Sequence, residues 1–206
     1  MLNDIKWLFF DVGSTLVDET ECYNHRIRDA IAGTDITFEE FNEKRLYFSK
    51  QNLKGDIEAL RYFGLAKTPW HHEDEKLYKD SENVLKILCE KGYRIGAIAN
   101  QSAGTEKRLE SYGLMKYIQL VVASAEEGVA KPDKRIFDIA LKRAVCSPSK
   151  AVMIGDRVDN DIIPANEMGM MTIWVRQGFG KYWTISDESE KADFAVDSLS
   201  ELLDIF

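Results

Sequence analysis

The chain has 206 residues, of which 45% are hydrophobic and 30% charged, so it can fold around a core and is not an intrinsically disordered protein. Its length predicts one domain, or one domain that carries a small insert. The formal net charge of −8 lacks the basic surplus of nucleic-acid-binding proteins, so we expect no nucleic-acid partner.

Short apolar runs alternate with helical patterns along the chain. Continuous apolar runs of this length are typical of strands that are buried on both faces of a parallel sheet. The alternation therefore predicts an α/β fold with a parallel sheet. The runs are Lys6–Phe10, Arg94–Ala99, Ile118–Ala123, Ala151–Ile154, Thr172–Val175 and Ala192–Val196.

Segments between these runs carry helix signals. Glu82–Lys91 places apolar residues on one stripe, with Ser81 as its predicted N-cap and Gly92 just beyond its end. Pro132–Val145 is predicted as another helix, with proline in its first turn, where the missing N–H is tolerated. Ser198–Glu201 has the spacing of a capping box and is predicted to open the last helix.

Residues 17–79 interrupt this alternation, because they contain no run that is typical of a strand. We interpret them as a small helical cap, inserted after the first strand of a core made of residues 1–16 and 80–206. Such an insert lies above the carboxyl end of that strand. The helical patterns in it are Glu21–Ala32, Thr37–Gln51 and Asp56–Phe63.

Polar side chains follow the first four runs of the predicted sheet, at the edge where open α/β sheets bind ligands. Carboxylate oxygens suit Mg²⁺, and a lysine offsets the charge of a phosphate. A carboxylate beside a divalent ion can also act as a nucleophile toward phosphorus. Each residue alone has an ordinary explanation as a turn former or a solvated side chain, but their joint placement favours a site. The polar residues are Asp11, Thr15, Asn100, Gln101, Lys131, Asp156, Asp159 and Asp161, and Gly13 lies in the turn between the first two.

Four segments together resemble the haloacid dehalogenase-like (HAD) hydrolase superfamily. With the insert after the first motif, the chain resembles the branch that has an α-helical cap, over essentially its whole length. The resemblance implies a Rossmann-like, doubly wound parallel sheet as the core. The segments are FFDVGSTL (Phe9–Leu16), IANQS (Ile98–Ser102), GVAKPDKRIF (Gly128–Phe137) and IGDRVDNDIIPANEMGM (Ile154–Met170).

The resemblance implies a Mg²⁺-dependent phosphatase acting on a small phosphorylated metabolite. Asp11 would be the nucleophile that forms an aspartyl-phosphate, and Lys131 would stabilise Asp11 and the transferring phosphoryl group. Asp11, the backbone carbonyl of Gly13 and Asp156 would hold Mg²⁺, with support from Asp161.

Three further residues receive roles from the same resemblance. Thr15 would support the nucleophile loop and belongs to the predicted phosphate-binding set. Asn100 and Gln101 would face the phosphate. Whether Asp159 or Asp161 is the second carboxylate of the last motif stays open at this point.

Two positions depart from the family's pattern. Gly13 stands where phosphatases of the family carry a second aspartate as general acid and base, and Ala99 stands where a serine or threonine is usual. A missing acid–base group typically lowers a rate by ~10²–10⁴-fold. We therefore expect reduced acid–base assistance, a preference for acidic leaving groups, and a gain in rate from Gly13→Asp.

Two alternative functions follow from these departures. One is a catalytically degraded member of the family that binds a phosphorylated ligand or a protein. The other is a dehalogenase-type or phosphonatase-type hydrolase, although dehalogenases carry a bulky aromatic residue at position 13 and use no Mg²⁺. Phosphonatases use a cap lysine, and no pattern places Lys44, Lys50 or Lys54 over the site.

The remaining features indicate ordinary surroundings. Three distant cysteines without a CxxC pair predict neither disulfides nor a zinc site, so we expect a reducing, cytoplasmic location. The longest apolar runs are too short for a membrane span. His25 is expected to be partly exposed, His71 and His72 are expected in a solvated loop, and Arg176 is a weaker candidate for substrate contact.

Overall fold

The computed structural model describes residues 4–206, and eight strands lie in this part of the chain. Six of them form one parallel sheet in the order β5-β4-β1-β6-β7-β8, which confirms the predicted α/β fold. The strands are β1 (Trp7–Phe10), β2 (Val17–Asp18), β3 (Lys76–Leu77), β4 (Arg94–Ala99), β5 (Ile118–Ala123), β6 (Ala151–Gly155), β7 (Met171–Val175) and β8 (Phe194–Val196).

The central strand β1 marks the point where the sheet changes direction. β4 and β5 lie on one side of β1, and β6, β7 and β8, which come later in the chain, lie on the other side. In register, Phe9 lies between Gly96 of β4 and Met153 of β6. A crevice for ligands forms at such a switch point, outside the carboxyl ends of the strands.

Nine helices lie in the described part of the chain. They are α1 (Thr20–Ile31), α2 (Phe38–Ser49), α3 (Gly55–Phe63), α4 (Ser81–Glu90), α5 (Thr105–Ser111), α6 (Ser124–Glu127), α7 (Lys134–Arg143), α8 (Ile163–Glu167) and α9 (Leu202–Ile205). None of these helices is long and apolar enough to cross a membrane.

Helices cover both faces of the sheet, because successive side chains of a strand point to opposite sides. Leu8 and Phe10 join one apolar cluster, which includes Leu85 of α4. Phe9 joins the other, which includes Phe137 of α7. The four residues of β1 are all buried, as expected for a strand in the middle of a doubly wound sheet.

Two helix starts differ from the prediction. Ser81 is the first residue of α4 rather than its N-cap, and its hydroxyl donates to the carbonyl of Leu16 at 2.7 Å. This buried bond ties the start of α4 to the loop after β1. Pro132 lies before α7, whose N-cap is Asp133, and the Asp133 side chain accepts a hydrogen bond from the amide of Arg135.

The end of the chain also differs from the prediction. Ser198 makes no side-chain cap, because its hydroxyl donates to the carboxylate of Glu201 at 3.2 Å. A 3₁₀ turn, Leu199–Glu201, follows, and α9 begins only at Leu202.

The segment between β1 and α4 is mainly helical, as predicted, and the Thr37 capping box of α2 is present. The expectation that it contains no strand is wrong. β2 and β3 pair as an antiparallel ribbon, with Val17 opposite Leu77, and two-residue strands are too short to produce a periodic pattern. We call residues 17–79 the cap from here on, and its boundaries stay a prediction.

Candidate active site

Three buried carboxylates meet at the carboxyl end of the sheet. Asp11 follows β1, Asp156 follows the neighbouring β6, and Asp161 lies in a short π-helical turn, Val158–Ile162. Oxygen atoms of the three side chains lie within 4.8 Å of one another. The structure therefore brings together the three acids that sequence analysis assigned to a metal site.

Lys131 joins two of these carboxylates from the loop after α6. Its Nζ donates to Asp11 Oδ1 and to Asp161 Oδ1, each at 2.6 Å, and its side chain is 2% exposed. Burial alone lowers the pKa of Lys131, but the charges and hydrogen bonds of the two carboxylates outweigh it and raise that pKa. Lys131 is therefore held as a cation against the predicted nucleophile.

Asp161, rather than Asp159, is the second carboxylate of the last motif that reaches the cluster. Asp161 is fully buried and accepts hydrogen bonds from Lys131 and from the amide of Arg157 at 3.0 Å. Asp159 instead binds the guanidinium of Arg157, at 2.9 and 2.7 Å.

Burial raises the pKa of Asp156 well above its usual value, and the nearby charges of Asp11 and Asp161 add to the effect. Burial also raises the pKa of Asp161, although Lys131 opposes the shift. Ionising all three carboxyl groups beside one lysine would leave net negative charge, which a divalent cation among them would offset. An all-oxygen donor set of this kind fits Mg²⁺ rather than a metal that prefers sulfur or imidazole.

Two predicted phosphate-binding residues, Thr15 and Asn100, make hydrogen bonds to other residues of the site. The hydroxyl of Thr15 is fully buried and donates to Asp156 Oδ1 at 3.4 Å, so it does not face the crevice. The amide of Asn100 donates to the carbonyl of Lys131 and accepts from its N–H, each at 2.8 Å. Asn100 borders the crevice, but its hydrogen bonds fix the backbone of Lys131.

A cavity of about 390 Å³ opens above the carboxylates, between the sheet edge and the cap. Its volume suits a small metabolite. Gly13, Gln101 and the residues of the carboxylate cluster line the sheet side. The cap contributes Glu19, Tyr23, Arg26, Lys67, Thr68, Trp70 and His72.

The structure also gives the surroundings of the other residues that sequence analysis considered. His72 was expected in a solvated loop, but it borders the cavity and bonds to Ser102 Oγ at 3.1 Å through Nε2. His71 stacks on His25 with 3.5 Å between the ring centroids. Arg176 does not line the cavity and pairs with Asp197 at 2.7 Å. The cap lysines Lys44, Lys50 and Lys54 are also absent from the described lining.

Glu19 is the residue that sequence analysis missed. It directly precedes α1, yet its side chain makes no capping bond and turns into the cavity, leaving the residue 8% exposed. Burial, followed by the charge of Asp11, raises the pKa of Glu19 to about 8. The signal that could have identified it is an acidic residue three positions after the Phe9–Leu16 motif, which has Gly13 in place of its usual second aspartate.

A known protein family and several known proteins are similar to this chain. The family model of haloacid dehalogenase-like hydrolases matches residues 5–169. A Methanopyrus kandleri protein named glyceraldehyde 3-phosphate phosphatase is 31% identical over 226 aligned positions, covering 98% of this chain and 97% of that protein. The Escherichia coli pyrimidine 5′-nucleotidase YjjG is 40% identical over 215 positions, covering 89% of this chain and 95% of that protein.

A solved structure shows the same fold. The HAD phosphatase from Thermococcus onnurineus has a TM-score of 0.66 at 22% identity, over 98% of this chain and 97% of that one. By the match to the family model and by these relatives, the chain belongs to the haloacid dehalogenase-like hydrolases.

Proposed function

We propose that the protein is a Mg²⁺-dependent phosphatase of a small phosphorylated metabolite and that Asp11 is the phosphoryl acceptor. The observation that carries this proposal is the buried Lys131, which holds one oxygen of Asp11 at 2.6 Å at the floor of the cavity. The names of the Methanopyrus and Escherichia relatives, both phosphate-ester hydrolases, support the substrate class.

In this proposal Asp11 reacts with phosphorus, and the neighbouring residues orient it. Lys131 fixes the orientation of the Asp11 carboxylate and offsets the charge of the incoming phosphate, so that an oxygen of Asp11 can attack phosphorus. Asn100 keeps Lys131 in place through both of its backbone groups. Gln101 lines the cavity beside them.

Mg²⁺ would be held by Asp11, the carbonyl of Gly13, Asp156 and Asp161. When bound there, it would offset the charge of the phosphate and of the clustered carboxylates. Gly13 supplies only a backbone oxygen to such a set, so the lack of a side chain at this position does not weaken it.

A binding or regulatory protein without turnover is the second candidate, favoured by the departures at Gly13 and Ala99. A dehalogenase-type function fits less well. It would use no Mg²⁺, whereas the acidic cluster beneath this cavity carries more negative charge than Lys131 alone offsets.

The test is whether Asp11 binds a mimic of the phosphoryl group. Beryllium fluoride with Mg²⁺ is expected to bind Asp11 as an acyl-phosphate mimic and to raise the melting temperature by mass action. Asp11→Asn should lose the shift and also the hydrolysis of p-nitrophenyl phosphate. Asp138→Asn, an exposed aspartate on α7, is the matched control and should keep both.

The same assay separates the alternatives. A protein that binds beryllium fluoride but turns over no member of a panel of phosphorylated metabolites is a binding protein. Full activity in Asp11→Asn would refute the covalent mechanism, and activity unaffected by chelation of Mg²⁺ would refute the metal requirement. Asp156→Ala should weaken Mg²⁺ binding severely in titration calorimetry, while the fold stays intact.

A further inference from the structure

The cavity holds one carboxyl group that the proposed phosphoryl transfer does not use, and that group belongs to Glu19. Acidic residues at the start of a helix usually cap it or point to solvent, where they interact favourably with the helix dipole. The Glu19 side chain does neither, because it is buried and lies among the cavity-lining residues. Its position therefore calls for a reason other than helix stability.

Glu19 fills the space that a side chain at position 13 would occupy. A Cβ atom built on Gly13 would lie 2.7 Å from Glu19 Cδ and 2.7 Å from Oε2, closer than such atoms can approach. The backbone at Gly13 is outside the left-handed region, so φ would allow a side chain there, but the Glu19 carboxyl group would have to move to admit it. The cavity wall beside Asp11 thus carries a carboxyl group even though residue 13 is a glycine.

Two hydrogen bonds orient this carboxyl group. The hydroxyl of Ser14 donates to Oε2 at 3.2 Å, and the amide of Gln101 donates to Oε1 at 3.4 Å. Both partners belong to the loops that follow β1 and β4, so Glu19 is fixed to the same sheet edge as Asp11. Gln101, predicted to face phosphate, lines the cavity and also contacts Glu19.

Resting on the proposed phosphatase function, we propose that Glu19 is a catalytic residue, the general acid and base of the reaction, and that the substrates include alkyl phosphates. An alkoxide is a poor leaving group unless it receives a proton as the bond to phosphorus breaks. His72, another group that lines the cavity and could supply one, has its ring nitrogens bound to Glu75 and Ser102. Glu19 instead is hydrogen-bonded to Ser14, which belongs to the same loop as Asp11.

The proton balance closes over the two steps. In the first step a bond forms between Asp11 and phosphorus, the ester oxygen leaves, and it takes the proton of Glu19 to become an alcohol. In the second step Glu19, now a carboxylate, removes a proton from water as that water attacks phosphorus. The bond between Asp11 and phosphorus then breaks, inorganic phosphate is released, and Glu19 is protonated again.

This role replaces the expectation that Gly13 restricts the protein to acidic leaving groups. It also reverses the predicted benefit of Gly13→Asp, because a side chain at position 13 meets the Glu19 carboxyl group. The single substitution should displace Glu19 rather than add a second acid.

The test compares two leaving groups in Glu19→Gln, which keeps the size of the side chain and its neutral hydrogen bonding. Hydrolysis of glycerol phosphate should fall by ~10²-fold or more, because its leaving group requires the proton. Release of the first p-nitrophenolate from p-nitrophenyl phosphate should fall far less, since this leaving group is stable as an anion. A burst of p-nitrophenolate, with phosphate retained on the protein by intact mass, should then precede slow turnover.

Glu21→Gln is the matched control. Glu21 lies two residues after Glu19, in the first turn of α1, and is exposed, so this variant should leave both rates unchanged. A second pair of variants moves the carboxyl group. Glu19→Ala should lose the alkyl activity, and the double variant Gly13→Asp/Glu19→Ala should recover part of it by presenting an acid from position 13.

The outcomes separate this role from the function on which it rests. Equal losses on both esters in Glu19→Gln, without a burst, would show a structural role and overturn the proposal. Failure of the double variant to exceed Glu19→Ala, in a protein that melts at the wild-type temperature, would also count against it. Wild-type protein that hydrolyses neither ester, and forms no beryllium fluoride adduct, would refute the phosphatase function itself.

Discussion

The core and the cap are built with very different amounts of apolar contact. The core sheet has a large cluster of buried side chains on each face, whereas the cap helices share a cluster with four buried members, Ile27, Phe41, Ala59 and Leu60. Of the twelve largest fully buried side chains in the described part of the chain, only Phe41 lies in the cap. The core thus fixes the carboxylates firmly, while the cap has little apolar contact holding it in one arrangement.

Polar contacts join the cap to the core at several places. Asn52 of the cap exchanges two hydrogen bonds with the backbone of Thr184, each at 2.8 Å. The guanidinium of Arg45 lies 4.0 Å from the centre of the Phe179 ring. Because exposed hydrogen bonds exchange readily with water, the two bonds of Asn52 contribute little free energy to holding the cap against the core.

The largest expected effect comes from removing one buried phenylalanine in each region. Phe137→Ala in the core should lower the free energy of unfolding by ~3–5 kcal/mol within one cooperative transition. Phe41→Ala removes a similar area from a cluster of only four buried residues. The cap should then unfold in a separate transition, before the core, as followed by urea titration with circular dichroism.

Tyr62→Ala serves as the control for the cap, since Tyr62 is 58% exposed and its removal should change stability by less than ~0.5 kcal/mol. A single transition in Phe41→Ala, with the same midpoint shift as Phe137→Ala, would show that the two regions unfold together and that the comparison is wrong.

A smaller effect should appear in the motion of the cap. Mg²⁺ with beryllium fluoride is expected to slow hydrogen exchange in α1, α2 and α3, because closure over the cavity excludes water. Asn52→Gly should speed exchange in the same helices without ligand, since it removes both bonds to Thr184. Glycine accommodates the φ of 61° at this position.

Exchange in β1 and β6 is the internal reference and should change in neither experiment. Equal cap exchange with and without the ligand would argue for a rigid cap whose position is already the closed one.

The smallest effect concerns pH and the cap alone. Hydrogen bonds that the protonated His71 ring donates to Asp29 and then to Glu73 raise the pKa of His71 above its ordinary value of 6.5. The protonated form of His71 therefore stabilises the folded cap. This stabilisation is fully present below pH 6.5, and it is lost as the pH rises through the raised pKa of His71. His71→Gln should lower the stability of the cap, measured as protection from hydrogen exchange, and the loss should be larger at low pH than at high pH. A difference that is independent of pH would contradict this assignment.

Sequence analysis predicted the elements with strong local signals. Continuous apolar runs such as Arg94–Ala99 allowed the sheet to be predicted, and the rule that ligands lie at strand ends placed Asp11 and Asp156 together. The ribbon of β2 and β3 was missed because two residues carry no periodicity. The partners of Asn100 and the place of Glu19 depend on how loops fold over one another, which no local pattern encodes.

The shared space of Gly13 and Glu19 also has a consequence for how this sequence can change over generations. A side chain at position 13 does not fit beside the present position of the glutamate at 19, so substitution at one site alone either moves the carboxyl group or removes it. The two positions should therefore vary as a pair among close relatives. A glycine at 13 would accompany an acid at 19, and an aspartate at 13 would accompany a smaller or outward-facing residue.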